Sequence, residues 1–294
     1  RSLAIAAESA LLVTGDDGCL DLPRMWLDLL IEKGQVVDGR LLVPKNHTTA
    51  DGWTNHTVVN QIIPVHLWNA SMADGDWEQL ERFRVGAEEE WQTVTSRGPR
   101  SLDDRPWTRW LAGELPDYPE QILRANYQEV CRRLEEVMAD EQDLTRLDVH
   151  HWQKVNPVLT EALAQLTTGG PQTVYWGGLA VGRLRYWDAE GRRAGLPRDV
   201  AALVHRLDAG SASATLVNLS VRHSRELIIG AGNFGEHEFT TASCDGAEAT
   251  PVDGPWLRLR LPPGAQVELE LGMRRFVRQP SYAFPWHPGD IPVR

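Results

Sequence analysis

The chain is poor in cysteine and nearly devoid of lysine. Cys19, Cys131 and Cys244 are the only cysteines in 294 residues, and they stand far apart. An odd, scattered set with no C-x-x-C excludes a disulfide framework and a thiolate metal site, and it points to a reducing, cytoplasmic compartment. Only Lys33, Lys45 and Lys154 accompany the arginines. No run of 18 apolar residues occurs, so no membrane span is expected. The apolar start RSLAIAAESALLV carries Glu8 and shows no cationic segment and cleavage site, so it is not expected to act as a secretory signal. There is no G-x-G-x-x-G, no P-loop and no G-x-S-x-G, which leaves no signal for a phosphate cradle or a nucleophile elbow. No histidine pair is spaced i, i+4 for a metal. The sequence therefore calls for neither a cofactor nor a metal. Positive charge is also short: 41 acids against 30 bases give −11. Residues 209–294 hold nine acids and eight bases, which leaves −10 on the first 208. Such an acidic body excludes general nucleic-acid binding.

Tryptophan is in excess. Twelve Trp outnumber the five Phe and five Tyr combined. Each offers a flat apolar face and one N–H donor. That suits a packed core, and it equally suits stacking platforms for sugar rings.

The chain changes character near residue 210. Before it, helical spacing and capping residues predict helices over 22–33, 57–72, 76–91, 118–139, 156–166 and 197–207, with Pro64 kinking or breaking the second. After it the apolar period becomes two. Strands are expected at 214–219, 226–229, 238–241, 256–261 and 266–271. The last two, joined by Pro-Pro-Gly-Ala, read as a hairpin in which Arg258 and Arg260 face Glu268 and Glu270. The tail, with Pro280, Pro285, Pro288 and Pro292 among Tyr282, Phe284 and Trp286, reads as an extended strap across the other domain. The expected fold is thus a multidomain α+β chain. A mostly helical domain spans 1–208, and an antiparallel β-sandwich spans 209–294.

Four segments concentrate polar chemistry. In KNHTTADGWTNHTVVNQ, two Asn-His-Thr triplets bracket Asp51, Gly52 and Trp53. A polar, glycine-containing loop at the mouth of a helix suits a pocket rim, with His56 as a base and Asn46, His47, Trp53 and Asn55 as binding groups. The plainer reading is a loop that caps the next helix. In DVHHWQKVN, His151 is the proton carrier and Trp152 and Gln153 hold substrate; otherwise this is a core histidine beside a core tryptophan. In WTRWLAGELPDYPE, Glu114 and Asp117 lie between Trp110 and Tyr118, as a glycosidase carboxylate framed by aromatics would. The plain alternative is a helix-start acid and a solvated one. In GGPQTVYWGGLAVGRLRYWD, Tyr175 and Trp176 precede a glycine pair that permits close backbone approach, though a strand packing the two domains explains the segment as well.

A helical body with polar Asn-His and Trp loops, followed by a small sandwich, resembles the later portion of bacterial (α/α)-toroid carbohydrate-active enzymes. Asn46-His47 and Asn55-His56 are similar in kind to the Asn-His pairs of toroid polysaccharide lyases. The resemblance implies a toroid-like helical domain. It also implies that Asn neutralises a uronate carboxylate while His or Tyr moves the proton. The function expected is cleavage of glycosidic bonds in an oligo- or polysaccharide. The −10 charge of the helical part favours hydrolysis of a neutral sugar, with Asp51, His56, Glu114, Asp117 and His151 as proton carriers. The alternatives are a lyase using Asn55, His56 and Tyr127 or Tyr175, and a non-catalytic subunit whose tryptophans form an interface. A homo-oligomer, or a further segment ahead of Arg1, fits each of these.

Overall fold

The computed structural model describes residues 2–96, 103–148, 150–151, 155–172 and 179–287. The chain opens with α1 (Ser2–Thr14) and α2 (Asp21–Glu32), linked by a 3-10 turn at Asp17–Leu20 that Asp16 caps through the Gly18 N–H. A small antiparallel sheet follows, β1 (Gln35–Val37), β2 (Arg40–Thr48) and β3 (Gly52–Thr57). Then come α3 (Ile62–Ser71), α4 (Asp74–Arg82), α5 (Glu88–Gln92), α6 (Arg105–Leu111), α7 (Tyr118–Met138) and α8 (Glu161–Thr168). Nine strands complete the described chain: β4 (Leu184–Asp188), β5 (Arg193–Ala194), β6 (Val200–Asp208), β7 (Ser211–Asn218), β8 (Arg225–Ala231), β9 (Glu238–Cys244), β10 (Thr250–Gly254), β11 (Trp256–Leu261) and β12 (Gln266–Arg274). They form two antiparallel sheets, ordered β10-β9-β12-β7-β6 and β11-β8-β4-β5.

The expectation of a mostly helical, toroid-like body is corrected by these elements. Helix accounts for 34% of the chain and strand for 29%, and six of the strands precede residue 209. The run 197–207, expected as a helix, is strand β6 paired with β7. Its register shifts between Val204 and Arg206. That irregularity turns both Val204 and Leu207 into the core, so a strand shows the three-residue apolar spacing of a helix. The segment 45–57, expected as a loop, is the β2–β3 hairpin, closed at Thr48↔Gly52. Asn55 takes the left-handed conformation there, at φ 57°, and Lys45↔Asn55 is missing from the pairing. Pro64 neither kinks nor breaks its helix, because it falls in the first turn of α3, where a missing N–H costs nothing. The run 76–91 divides into α4 and α5, with Gly86 at φ 72° between them.

The strands expected after residue 210 are present, but two of them pair differently. β11 and β12 belong to different sheets and form no hairpin. Arg258 meets Glu226 of β8 at 2.5 Å, while Glu268 accepts from Thr215 and lies 3.1 Å from His205. The four residues between these strands are enough to cross from one sheet to the other, and the alternation of each strand carries no record of its partner.

Helices and sandwich share one hydrophobic core. It runs from Ala4 and Leu11 through Trp91 and Trp107 to Val204, Leu216 and Leu271. α6 and α8 lie against β6, and α8 also touches β4. Of the described tryptophans, Trp68, Trp91 and Trp107 are buried in this core, Trp77 and Trp110 pack against it, and Trp187 is buried as well. The tail follows the seam before turning onto the sandwich. Arg275 donates to the Ala70 carbonyl, and Tyr282 packs edge-on against Phe234 at 5.6 Å. Trp286 stacks on Phe284.

Candidate functional site

α3 is buried all round, from Ile62 to Ala70. An apolar helix of this kind has no solvent face on which to place polar side chains. Yet it carries His66 and Asn69, which are 1% and 0% exposed. His66 Nδ1 lies 2.6 Å from Glu8 Oε2 of α1, so the carboxylate orients the ring and Nε2 remains. Nε2 has no hydrogen-bond partner among the described residues, and neither does Glu8 Oε1 or either amide atom of Asn69. Burial works against the His66 imidazolium, but the Glu8 carboxylate, aided by Asp104, outweighs it and raises the His66 pKa.

Asp104, just ahead of α6, is fully buried. Its Oδ1 accepts from Gln165 Nε2 at 2.7 Å and from the Gln172 N–H at 3.0 Å, while Oδ2 has no partner among the described residues. Burial pushes its pKa up to about 6, against the pull of the Gln172 N–H and of His66. Tyr118 extends the network by donating to Gln165 Oε1 at 2.5 Å.

The sandwich adds charge from the other side of the seam. Arg183, 0% exposed, donates to the Asn69 carbonyl at 2.9 Å, and Arg275 donates to the next carbonyl, of Ala70. Two cations thus serve the C-terminal carbonyls of α3, where the helix dipole is negative. Arg183 Nε and Nη1 have no partner among the described residues, nor does Arg275 Nε. Burial, and then Arg275, hold the Arg183 pKa well below its usual range; burial brings Arg275 down to about 10. Glu236 accepts from the N–H groups of Phe234 and Asn233, and burial still raises its pKa to about 7. His237 accepts from the Phe276 N–H through Nδ1, and burial, with Arg183 and Arg275, keeps its ring neutral. Glu8 and Glu236 both act on Arg183, so the two halves form one electrostatic group. Buried polar atoms in native proteins are almost always partnered. Among the described residues, most of the unpartnered buried side-chain atoms belong to this seam.

An open cleft of about 500 Å³ lies beside the C-terminal end of α3, lined by Trp68 of the helix and Met72 just after it. Trp68 and Trp77 tilt against each other there, at 4.8 Å between ring centroids, and Asp74 and Asp208 also line it.

The residues singled out from sequence are dispersed. Asn46 and His47 sit exposed on β2, and His47 packs on Trp53 across the hairpin at 4.6 Å. Asp51 accepts from Thr48 Oγ1 within the turn. Asn55 is exposed on β3, and His56 Nε2 lies 3.0 Å from the Lys33 carbonyl. Glu114 is 3.2 Å from buried Arg109, which also binds Glu81. Asp117 caps the start of α7 without a side-chain bond, and Trp110 packs on Tyr118 at 5.9 Å. Tyr127 is 70% exposed on α7. His151 lies 2.7 Å from Asp140 in a cleft of about 780 Å³ that includes Glu136, Glu141 and Asp148 but no residue of the hairpin. Trp152, Gln153, Tyr175 and Trp176 fall outside the described residues. Among the described residues no three His, Cys, Asp or Glu side chains come together as a metal site. No described helix is long and apolar enough to cross a membrane.

A family model described as a domain of unknown function (DUF8034) matches residues 35–164. The matched stretch takes in His66, Asn69 and Asp104, while Glu8, Arg183 and Glu236 lie on either side of it. No curated protein and no solved structure matches the chain.

Proposed function

We propose that this chain is a carbohydrate-active enzyme that cleaves glycosidic bonds, with the seam group as its proton-transfer centre. The observation that carries the reading is the Glu8–His66 pair, a buried imidazole oriented by a carboxylate through Nδ1 with Nε2 left over. That is the arrangement of a general base held in one tautomer. Hydrolysis also needs a group that gives a proton, and Asp104, pushed up to about 6 by burial, keeps one up to that pH, well above the range of a solvated carboxyl. α3 joins the two parts, since it carries His66 into the seam and Trp68 into the cleft where Trp77 offers a second aromatic face. The three free cysteines support a reducing, cytoplasmic setting.

Elimination is the second reading. It is favoured by the Nε and Nη1 of Arg183 and the Asn69 amide, which have no partner among the described residues and are donors suited to neutralising a uronate carboxylate.

The test is a panel of neutral and uronate-containing oligosaccharides, followed by reducing-end release and by the ultraviolet absorbance of an unsaturated uronate. Wild type should act on at least one member, and His66→Gln should lose a factor of roughly 10²–10⁴ in kcat. Trp77→Ala should raise KM with a smaller change in kcat. An inactive wild type across the panel, or an active His66→Gln, would overturn the proposal.

A further inference from the structure

A third cleft lies on the far side of α8, between that helix and the β4–β5 edge of the sandwich. Its volume is about 600 Å³, within the range of small-molecule sites. Leu163, Leu196 and Phe234 supply apolar wall, and Arg185, Tyr186, Asn233 and three threonines supply the polar groups. The Thr167 and Thr168 hydroxyls are already committed as donors, to the Leu163 and Ala164 carbonyls at 2.7 and 2.6 Å. The strong donor left in the cleft is Arg185.

Arg185 is held firmly in place. Nη1 donates to the Asn233 carbonyl at 2.6 Å, and the guanidinium lies 5.0 Å from the centroid of the Trp187 ring. Asn233 is itself fixed by its donation to the Ala180 carbonyl. No carboxylate forms an ion pair with Arg185 among the described residues, although most arginines of this acidic chain have one. Its charge is therefore under-compensated, and burial lowers its pKa despite the pull of Glu236. The Tyr186 hydroxyl, on a side chain 3% exposed, also has no partner among the described residues.

We propose that this cleft binds a small amphipathic carboxylate, its acid group paired with Arg185 and its apolar body on Leu163, Leu196 and Phe234. One planar guanidinium matches one planar carboxylate edge to edge. A phosphate would need several donors, and among the described residues lining the cleft there is one cation. The apolar wall rewards a hydrocarbon body over a hydroxylated one, so the ligand differs in class from a sugar. The proposal is independent of the carbohydrate reading, and its test measures binding rather than activity.

The experiment titrates octanoate into the purified chain by calorimetry, with octan-1-ol as the uncharged counterpart. Saturable one-site binding of octanoate is expected, with octan-1-ol weaker by about tenfold or more. Arg185→Gln should weaken octanoate by about tenfold or more and leave octan-1-ol unchanged. Ala164→Phe, which fills the cleft and leaves Arg185 in place, should weaken both ligands, with far-ultraviolet circular dichroism confirming that each variant is folded. Absence of saturable octanoate binding would overturn the proposal. So would equal affinity for the alcohol, or undiminished octanoate binding by folded Arg185→Gln.

Discussion

Replacing Asp104 by asparagine should stabilise the protein at neutral pH, although it removes a buried charge that two groups hydrogen-bond. Folded Asp104 keeps its proton to about pH 6, against 3.8 for the free side chain. Between those values the folded state binds more protons than the unfolded state, so stability falls as pH rises through the window. A difference of about two units, at about 1.4 kcal/mol each, costs about 3 kcal/mol once Asp104 is ionised in both states. Asparagine avoids that cost. Its carbonyl still accepts from Gln165 Nε2 and the Gln172 N–H, and its amide nitrogen takes the place of Oδ2, which has no partner among the described residues in the parent either. Losing the negative charge also lowers the His66 pKa; this opposing effect is the smaller one, because Glu8 acts on His66 more strongly than Asp104 does. Urea unfolding of both proteins from about pH 4 to about pH 8 measures the difference directly. Asp104→Asn should match the parent near pH 4 and gain up to about 3 kcal/mol above pH 7. A flat difference across pH, or a variant less stable at neutral pH, would refute the argument.

Two further predictions concern the architecture. Trp107→Ala should cost about 3–5 kcal/mol in the same unfolding assay, since the indole is fully buried in the core that helices and sandwich share. A double-mutant cycle on Arg258 and Glu226 should show a coupling of about 0.2–1 kcal/mol, as for partly exposed pairs, whereas Arg258 with Glu268 should show none.

Much of the secondary structure was legible, and the reasons for the failures are local. α7 was visible over 118–139 because its apolar stripe is regular and Pro119 and Tyr118 mark its start. The sandwich strands after Gly210 were visible because they alternate. β6 was hidden by the irregularity at His205, which gave a strand the apolar spacing of a helix. The β2–β3 hairpin was hidden because it is largely exposed, so neither face carries an apolar signal. The same exposure made its Asn and His residues conspicuous. The seam group left a fainter trace. His66 and Asn69 sit one turn apart in the apolar run IIPVHLWNAS, where two polar residues in a helix without a polar face must be satisfied inside the protein. Glu8 in RSLAIAAESALLV is the same kind of signal. Arg183 and Glu236 could not be joined to them from sequence, because only the docking of the sandwich on α3 brings them together.

The central claim is that proton transfer belongs to the buried seam and not to the polar hairpin. The direct measurement compares His66→Gln with His56→Gln on whichever oligosaccharide the wild-type chain cleaves. The account predicts that His66→Gln loses a factor of roughly 10²–10⁴ in kcat while His56→Gln, whose Nε2 meets the Lys33 carbonyl, stays within about twofold of wild type. Loss of activity in His56→Gln with His66→Gln still active would contradict it and return the chemistry to the hairpin.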